Sequence, residues 1–378
     1  MLSYSRLPPA IDRILDAAHW APSGDNAQPW TFEVHGENRF DVCVRVEAGN
    51  VYEYRHGEPT LISAGTLLEN IAIAAPSYGK RAKWEYLGLA GQVHRIRVDL
   101  HEDAAAFENP LFGQIGRRSV DRRAYRMRPL AAEDRRLLSE CVGPEFSVEW
   151  HESLTARRKI AALTRLATDI RLRIPETFDI HNRIVDWKRV NSPDAIPSRA
   201  LGLDALTLKI MRWTLAKRAR TEAANRLGSP LFAGLQMDFL PGIFSAAYFV
   251  FRLAQRQAGQ QEGVSQLLRA GQAVQRFWLT ATSLGLVLQP CLAALAFSYY
   301  GLTGEPFTVS EPERRKAATL AHRVSQDLSN LETLFFLGRI GFPKAKLESR
   351  SLRVPLAQLV RDDGSAAQPA ARPGEAAE

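Results

Sequence analysis

Residues 63–79 read S-A-G-T-L-L-E-N-I-A-I-A-A-P-S-Y-G, and residues 269–285 read R-A-G-Q-A-V-Q-R-F-W-L-T-A-T-S-L-G. Aligned without a gap, Ala64, Gly65, Ala75, Ser77 and Gly79 fall on Ala270, Gly271, Ala281, Ser283 and Gly285. Both stretches have helical spacing, with apolar faces at 67, 68, 71, 75 and at 274, 277, 278, 281. Each closes on a glycine suited to the left-handed position after a helix. Each is followed by a strand-like run, Ala82–Leu89 in one case and Leu286–Gln289 in the other. Buried alanine-rich helices share small residues in any protein, so these matches alone leave the repeat open. A second correspondence supports it: R-L-P-P-A-I-D-R-I-L-D-A-A (6–18) resembles M-R-P-L-A-A-E-D-R-R-L-L-S-E-C (127–141). The chain therefore reads as two related α+β units, 1–114 and 115–360.

Material between Pro175 and Arg252 enlarges the second unit. It holds a basic helical stretch, L-T-L-K-I-M-R-W-T-L-A-K-R-A-R, and a Pro/Gly-punctuated apolar segment, F-L-P-G-I-F-S-A-A-Y-F-V-F. Its Trp187, Trp213, Phe239, Phe244, Tyr248 and Phe249 are expected to suit a lid. Residues 361–378, with no large apolar side chain, are expected to be disordered.

An apolar fraction of 46% and a charged fraction of 24% are those of a soluble globular chain, and 378 residues are enough for a sizeable core. The formal charge of +8 favours anionic partners in a general way, without requiring nucleic acid. Three widely separated cysteines argue for a reducing compartment without disulfides, and the eight histidines show no metal-site spacing. No signal peptide is legible at the N-terminus, so a cytoplasmic location is expected. The uncharged run between Arg276 and Glu305 is long enough to span a bilayer, but Pro290 divides it. It is expected to form a buried helix, a short strand and a second helix, with no membrane span.

Two polar stretches remain. A-P-S-G-D-N-A-Q-P-W (21–30) follows an amphipathic helix at Leu7–His19 and holds more hydrogen-bonding groups than a turn needs. G-R-R-S-V-D-R-R-A-Y-R-M-R-P-L (116–130) carries six arginines within 117–128. Guanidinium forks suit phosphate oxygens, and Ser119 adds a neutral donor. From the residues alone, an arginine-rich surface, interdomain ion pairs and a cofactor phosphate clamp all stay open.

These segments resemble the FMN-dependent nitroreductase-like flavoproteins. The resemblance rests on A-P-S-G-D-N-A-Q-P-W, on R-R-S at 117–119, on A-G-Q-A-V-Q-R-F-W-L-T-A-T-S-L-G-L, and on L-G-R-I-G-F-P-K-A-K-L-E-S-R-S-L-R-V-P-L. The tandem arrangement is most similar to the single-chain, Acg-like NAD(P)H nitroreductases, and I-V-D-W-K-R-V-N-S-P-D-A-I-P-S-R-A-L-G-L-D is similar to their insert. The resemblance implies a nitroreductase-like α+β fold whose two halves, each an antiparallel-rich sheet packed by helices, form an internal pseudo-dimer with one FMN between them.

It further places Arg117, Arg118 and Ser119 at the phosphate and ribityl chain, with Arg350 and Arg353 closing on the phosphate. Pro22, Ser23 and Asn26 would contact the flavin from the first half, and Gln289, Pro290 and Cys291 would run along its ring edge. The reciprocal site is expected to be broken, since M-L-S-Y-S-R offers one arginine and C-V-G-P-E-F-S-V-E-W lacks the loop's Asn and Gln-Pro. Gln28 and Trp30 read as structural, Cys291 as a small core residue, and Arg122 and Arg123 as either cofactor or ion-pair groups. The activity implied is hydride transfer from NAD(P)H through FMN to a nitroaromatic, quinone or activated alkene, with no protein acid or base required. The alternative is a protein that sequesters FMN with little turnover. The expected partners are small molecules, not nucleic acid, and the chain is expected to be a monomer or to associate further.

Overall fold

The computed structural model describes residues 7–361. The six N-terminal residues of the reciprocal phosphate motif and the tail beyond Arg361 lie outside them. In the first half the order is α1 (Pro9–Ala18), β1 (Trp30–Val34), β2 (Arg39–Arg45), α2 (Tyr54–Ala74), β3 (Lys80–Ala90) and β4 (Val93–Glu102). Proline opens α1, where no amide donor is needed, and Ile11, Ile14, Leu15 and Ala18 bury its one apolar face. Gly79 and Gly285 take φ of +67° and +71°, as expected of the residues that end the two related helices.

In the second half follow α3 (Ala132–Glu140), β5 (Phe146–His151), α4 (Leu154–Arg173), α5 (Glu176–Ile184), β6 (Val185–Asp186), β7 (Ile196–Pro197), α6 (Ala205–Leu215), α7 (Arg218–Arg226), α8 (Ser229–Gly234) and α9 (Leu240–Ile243). Then come β8 (Ala247–Leu253), α10 (Gln260–Ser283), β9 (Val287–Pro290), α11 (Ala293–Thr303), α12 (Glu311–Leu328), β10 (Leu334–Gly341) and β11 (Val360–Arg361). The uncharged run thus divides into helix, strand and helix, as its proline implied. Among the described residues no helix is long and apolar enough to cross a membrane.

The fold is α+β, and its two main sheets repeat one plan. Strand order is β1-β2-β4-β3 in the first and β5-β8-β10-β9 in the second, with every one of these neighbours antiparallel. Both halves run helix, strand, strand, helix, strand, strand. In the second, α4–α9 are interposed between the first two strands, and α11–α12 between the last two. β11 leaves the second half and adds in parallel to the edge of the first sheet beside β1.

The helices between β5 and β8 therefore occupy 154–243 rather than 175–252, and the segment after them is not part of a lid. Tyr248 and Phe249 lie in β8, fully buried between its two neighbours. The run A-Y-F-V-F is apolar on both faces because the strand is covered on both.

The helices α2 and α10 cross at their glycines. A Cβ on Gly65 would stand 2.1 Å from the Leu268 carbonyl oxygen, and one on Gly271 would stand 2.1 Å from that of Ile62. Gly65 and Gly271 are equivalent in the alignment, and so are Ile62 and Leu268, so the contact is reciprocal. The polar pairs beside it follow the same rule. Glu69 accepts from Arg276 at 2.8 Å, while Gln275 donates to Asn70 at 2.7 Å. In the alignment Glu69 is the counterpart of Gln275 and Asn70 of Arg276. Around this crossing, Val264, Leu267 and Leu268 of α10 join the first core, and Ile62 of α2 joins the second.

Candidate functional site

A cavity of 2060 Å³ lies where the first half, the second sheet and the inserted helices meet. It is larger than the ~300–1,000 Å³ usual for one small ligand. Pro22 and Ser23 line it from the first half, and Gln289, Pro290 and Cys291 from the end of β9. These expected residues thus share the wall of one cavity, although about 270 positions separate them.

The loop at 21–30 holds itself by its own polar groups. Asp25, Asn26 and Gln28 take φ of +51°, +61° and +49°, a conformation Asn and Asp tolerate better than most residues. The Gln28 amide donates to Ser23 Oγ at 2.9 Å. Asn26 Nδ2 donates to the Pro193 carbonyl at 3.0 Å, and Gln28 Nε2 donates to the same oxygen at 2.8 Å. Gln28 also accepts from the Val354 amide at 3.0 Å, and Trp30 is buried in the first core; both nevertheless contribute to the cavity wall. Asn26 itself is buried and does not line the cavity.

The arginines divide by role. Arg117 is exposed, and Ser119 is half-buried; neither lines the cavity. Arg123 is taken by an ion pair with Asp121 at 2.8 Å and by the Ala345 carbonyl at 2.7 Å. Arg122 lines the cavity and donates to the Ala200 carbonyl at 3.3 Å.

Arg118, Arg350 and Arg353 form a cluster behind the loop, and none of the three lines the cavity wall itself. Arg118 donates to the Trp20 carbonyl at 3.3 Å and lies 4.5 Å over the ring of Trp278, a residue of the cavity wall. Arg353 donates to Ala21 O at 2.7 Å and to Asn26 Oδ1 at 2.8 Å. Arg350 donates to the Arg118 carbonyl at 3.2 Å. Among the described residues no carboxylate pairs with any of the three. The Nε atoms of Arg118 and Arg350 are buried without a hydrogen-bond partner. Burial, aggravated by Arg353 and Arg350, drives the Arg118 guanidinium well below its ordinary range, and burial brings Arg353 to about 9. Three cations held together without an anion are costly unless a polyanion joins them.

The ring-edge segment is more rigid than expected. The Gln289 side-chain oxygen accepts from Arg339, fully buried, at 2.6 and 2.9 Å, which fixes the orientation of the amide in the cavity wall. The Cys291 amide donates to Leu337 O at 2.8 Å, and burial pushes the thiol up to about 12. Cys291 is a neutral wall residue, not a thiolate.

Other wall groups carried no legible signal in the sequence. Tyr52 Oη and His181 Nε2 share a hydrogen bond of 2.9 Å across 129 positions. Burial, with Arg171 nearby, lowers His181 to about 3, so the ring stays neutral. Asp25 and Asp238, also in the wall, are pushed up by burial and held partly in check by nearby guanidinium groups, Arg122 first and then Arg171 for Asp25, and Arg171 for Asp238. Elsewhere, Glu33, His35 and Asp41 gather within 4.8 Å, but Arg95 and Arg97 already pair with the carboxylates at 2.8 and 3.1 Å.

No family model matches the chain, and no curated protein matches it. Among solved structures, the FMN-dependent nitroreductase NfnB from Mycobacterium smegmatis, in complex with NADPH, is 17% identical, with a TM-score of 0.35 over 66% of this chain and 95% of that one. A nitroreductase with bound FMN from Desulfitobacterium hafniense is 14% identical, with a TM-score of 0.33 over 66% of this chain and 95% of that one. A nitroreductase-like family protein from Bacillus cereus is 11% identical, with a TM-score of 0.34 over 68% and 96%. The solved structures similar to this chain are nitroreductases and their like. At these identities and TM-scores the likeness carries nothing about the chemistry of the cavity.

Proposed function

We propose that the chain is an FMN-dependent oxidoreductase of nitroreductase type, with one flavin held between its two halves. The observation that carries this reading is the cluster of Arg118, Arg350 and Arg353, cationic, without a carboxylate, with Arg118 and Arg353 buried and Arg350 half-buried. Its two orphaned Nε donors fit a phosphate, which would relieve both the unmet hydrogen bonds and the mutual repulsion. Arg118, Arg350 and Arg353 would hold the phosphate, Pro22 and Ser23 one side of the ring system, and the Gln289–Cys291 backbone the other. Arg117, exposed, and Asn26, bonded to Pro193 and Arg353, would serve the loop and its surroundings instead.

Bound FMN supplies two-electron transfer from NAD(P)H to a nitroaromatic, quinone or activated alkene. The residues of this chain bind and orient it and exclude water. The repeated sheet order and the reciprocal Gly65–Gly271 crossing support reading the halves, 1–114 and 115 onward, as an internal pseudo-dimer.

A second reading, FMN sequestration, is favoured by one observation. Residues 190–195 of the insertion lie bonded along both candidate cofactor segments. Asn191 Oδ1 accepts from the Arg350 amide at 3.0 Å, Ser192 O from the Leu352 amide at 2.7 Å, and Ala195 O from Ser351 Oγ at 3.0 Å. A strap so fastened would slow exchange of whatever lies beneath it. The test is the visible spectrum of freshly purified protein, with the released chromophore identified after heating. FMN near one per chain supports the common part of both readings, and bleaching by NAD(P)H followed by recovery with a nitroaromatic separates enzyme from store. Absence of flavin, with no uptake of added FMN, overturns both.

A further inference from the structure

The inserted helices α6–α8 face outward with side chains that water does not favour. Leu206, Ile210 and Trp213 stand at i, i+4 and i+7 on α6, and Leu227 and Phe232 flank and enter α8. All five are more than half exposed. The same 30 residues, 205–234, hold six basic side chains and one acidic one, Glu222. Lys209, Arg212, Lys217 and Arg218 are exposed among the apolar groups. Arg220 lies 4.5 Å over the Trp213 ring and donates to the Trp213 carbonyl at 3.1 Å, which braces the indole in its outward pose.

Ile210 and Phe232 also line the cavity, together with Met211, Ala233 and Met237. The exposed apolar face therefore meets the rim of the cavity at Ile210 and Phe232. Gln236 Nε2 donates to Asp204 Oδ2 at 2.9 Å and ties the two sides of that rim together.

We propose that the α6–α8 face docks on an anionic lipid bilayer, so that the cavity opens against the leaflet. Charge complementarity selects this occupant, because anionic headgroups match six cations, while Trp and Leu side chains settle at the interface. A bilayer accepts apolar groups projecting from separate short helices without needing a matching shape. Apolar side chains interleaved with the cations do not suit a nucleic-acid backbone. An apolar acceptor dissolved in the leaflet would pass from lipid into the cavity without crossing water. That last step rests on the oxidoreductase reading; the docking does not.

The experiment is co-sedimentation of the full chain with vesicles of phosphatidylcholine containing about 30% phosphatidylglycerol, compared with phosphatidylcholine alone. Flavin content is read on the same samples, so loss of the flavin reading and loss of docking are seen separately. The wild type should sediment with the anionic vesicles and be released by salt. Leu206→Ser/Trp213→Ser/Leu227→Ser and Lys209→Gln/Arg212→Gln/Lys217→Gln should each weaken partitioning at least ~10-fold. These residues are exposed, and unchanged thermal melting would show that both variants fold. Failure to sediment, or equal sedimentation with neutral vesicles that neither variant changes, overturns the proposal. So does a concentration-dependent dimer, abolished by the apolar variant, in protein that ignores vesicles; the face would then be a self-association surface.

Discussion

Gly65→Ala tests the crossing on which the relative placement of the two halves depends. The new Cβ would stand 2.1 Å from Leu268 O and 2.7 Å from Gly271 Cα, both backbone atoms that no rotamer change can move. Restoring ordinary contact requires α2 and α10 to separate by roughly 1 Å, at the edge of two packed cores. Overpacking of this kind costs about 1–3 kcal/mol, and backbone against backbone belongs at the upper end. Alanine returns up to about 1 kcal/mol through its better helix propensity. The net loss should be about 2 kcal/mol, which in a chain of this size lowers the thermal midpoint by roughly 2–3 °C.

The reciprocal geometry adds a sharper expectation. Gly271→Ala should cost the same, and the double variant less than the sum, because the first separation makes room for the second methyl. Differential scanning calorimetry of the four proteins gives the cycle. A midpoint that rises, as helix propensity alone would dictate, or two fully additive losses, would refute a close reciprocal crossing.

Arg353→Met should abolish or weaken FMN binding at least ~10-fold, since a phosphate contact of this kind is charge-assisted. The flavin-free protein should lose only about 1 kcal/mol, because the abandoned Trp20 and Ala21 carbonyls are offset by relief from Arg118 and Arg350; flavin content and melting of the flavin-free form check the two parts. Glu53, raised to about 7 chiefly by burial, gives a signed pH effect. A carboxyl whose folded value lies above its unfolded one loses stability as pH rises from about 4.5 to 7, by at most about 3 kcal/mol. Glu53→Gln should therefore flatten that decline, and melting curves between pH 5 and 8 that keep the wild-type slope would count against it. If the 190–195 strap restrains a ligand, Asn191→Ala, which removes the acceptor of the Arg350 amide, should speed release of bound flavin into excess apoflavodoxin or a similar trap. An unchanged rate would separate strap from cofactor.

Much of the fold was legible because it is written in local periodicity. The spacing of Ile11, Ile14, Leu15 and Ala18 placed α1, and the glycines at 79 and 285 marked where two long helices end. Pro290 divided an apolar run that might otherwise have passed for a span. What periodicity could not give was the extent of the insertion. A-Y-F-V-F is apolar throughout, and a short apolar run fits a buried strand as well as a lid.

By itself, the sequence supported a reading as two similar α+β halves, and it determined a polar loop after the first helix and a dense run of arginines at 117–128. Only the tertiary structure decided which arginines are buried together. Arg117 and Arg118 are neighbours in the chain, yet one is exposed and the other joins Arg353, whose guanidinium reaches a carbonyl 332 positions away. Tyr52 met His181, and β11 crossed back to the first sheet, in the same way. Backbone propensities act over a few residues, whereas these pairings are fixed by how complete cores stack, and no short window of sequence encodes that.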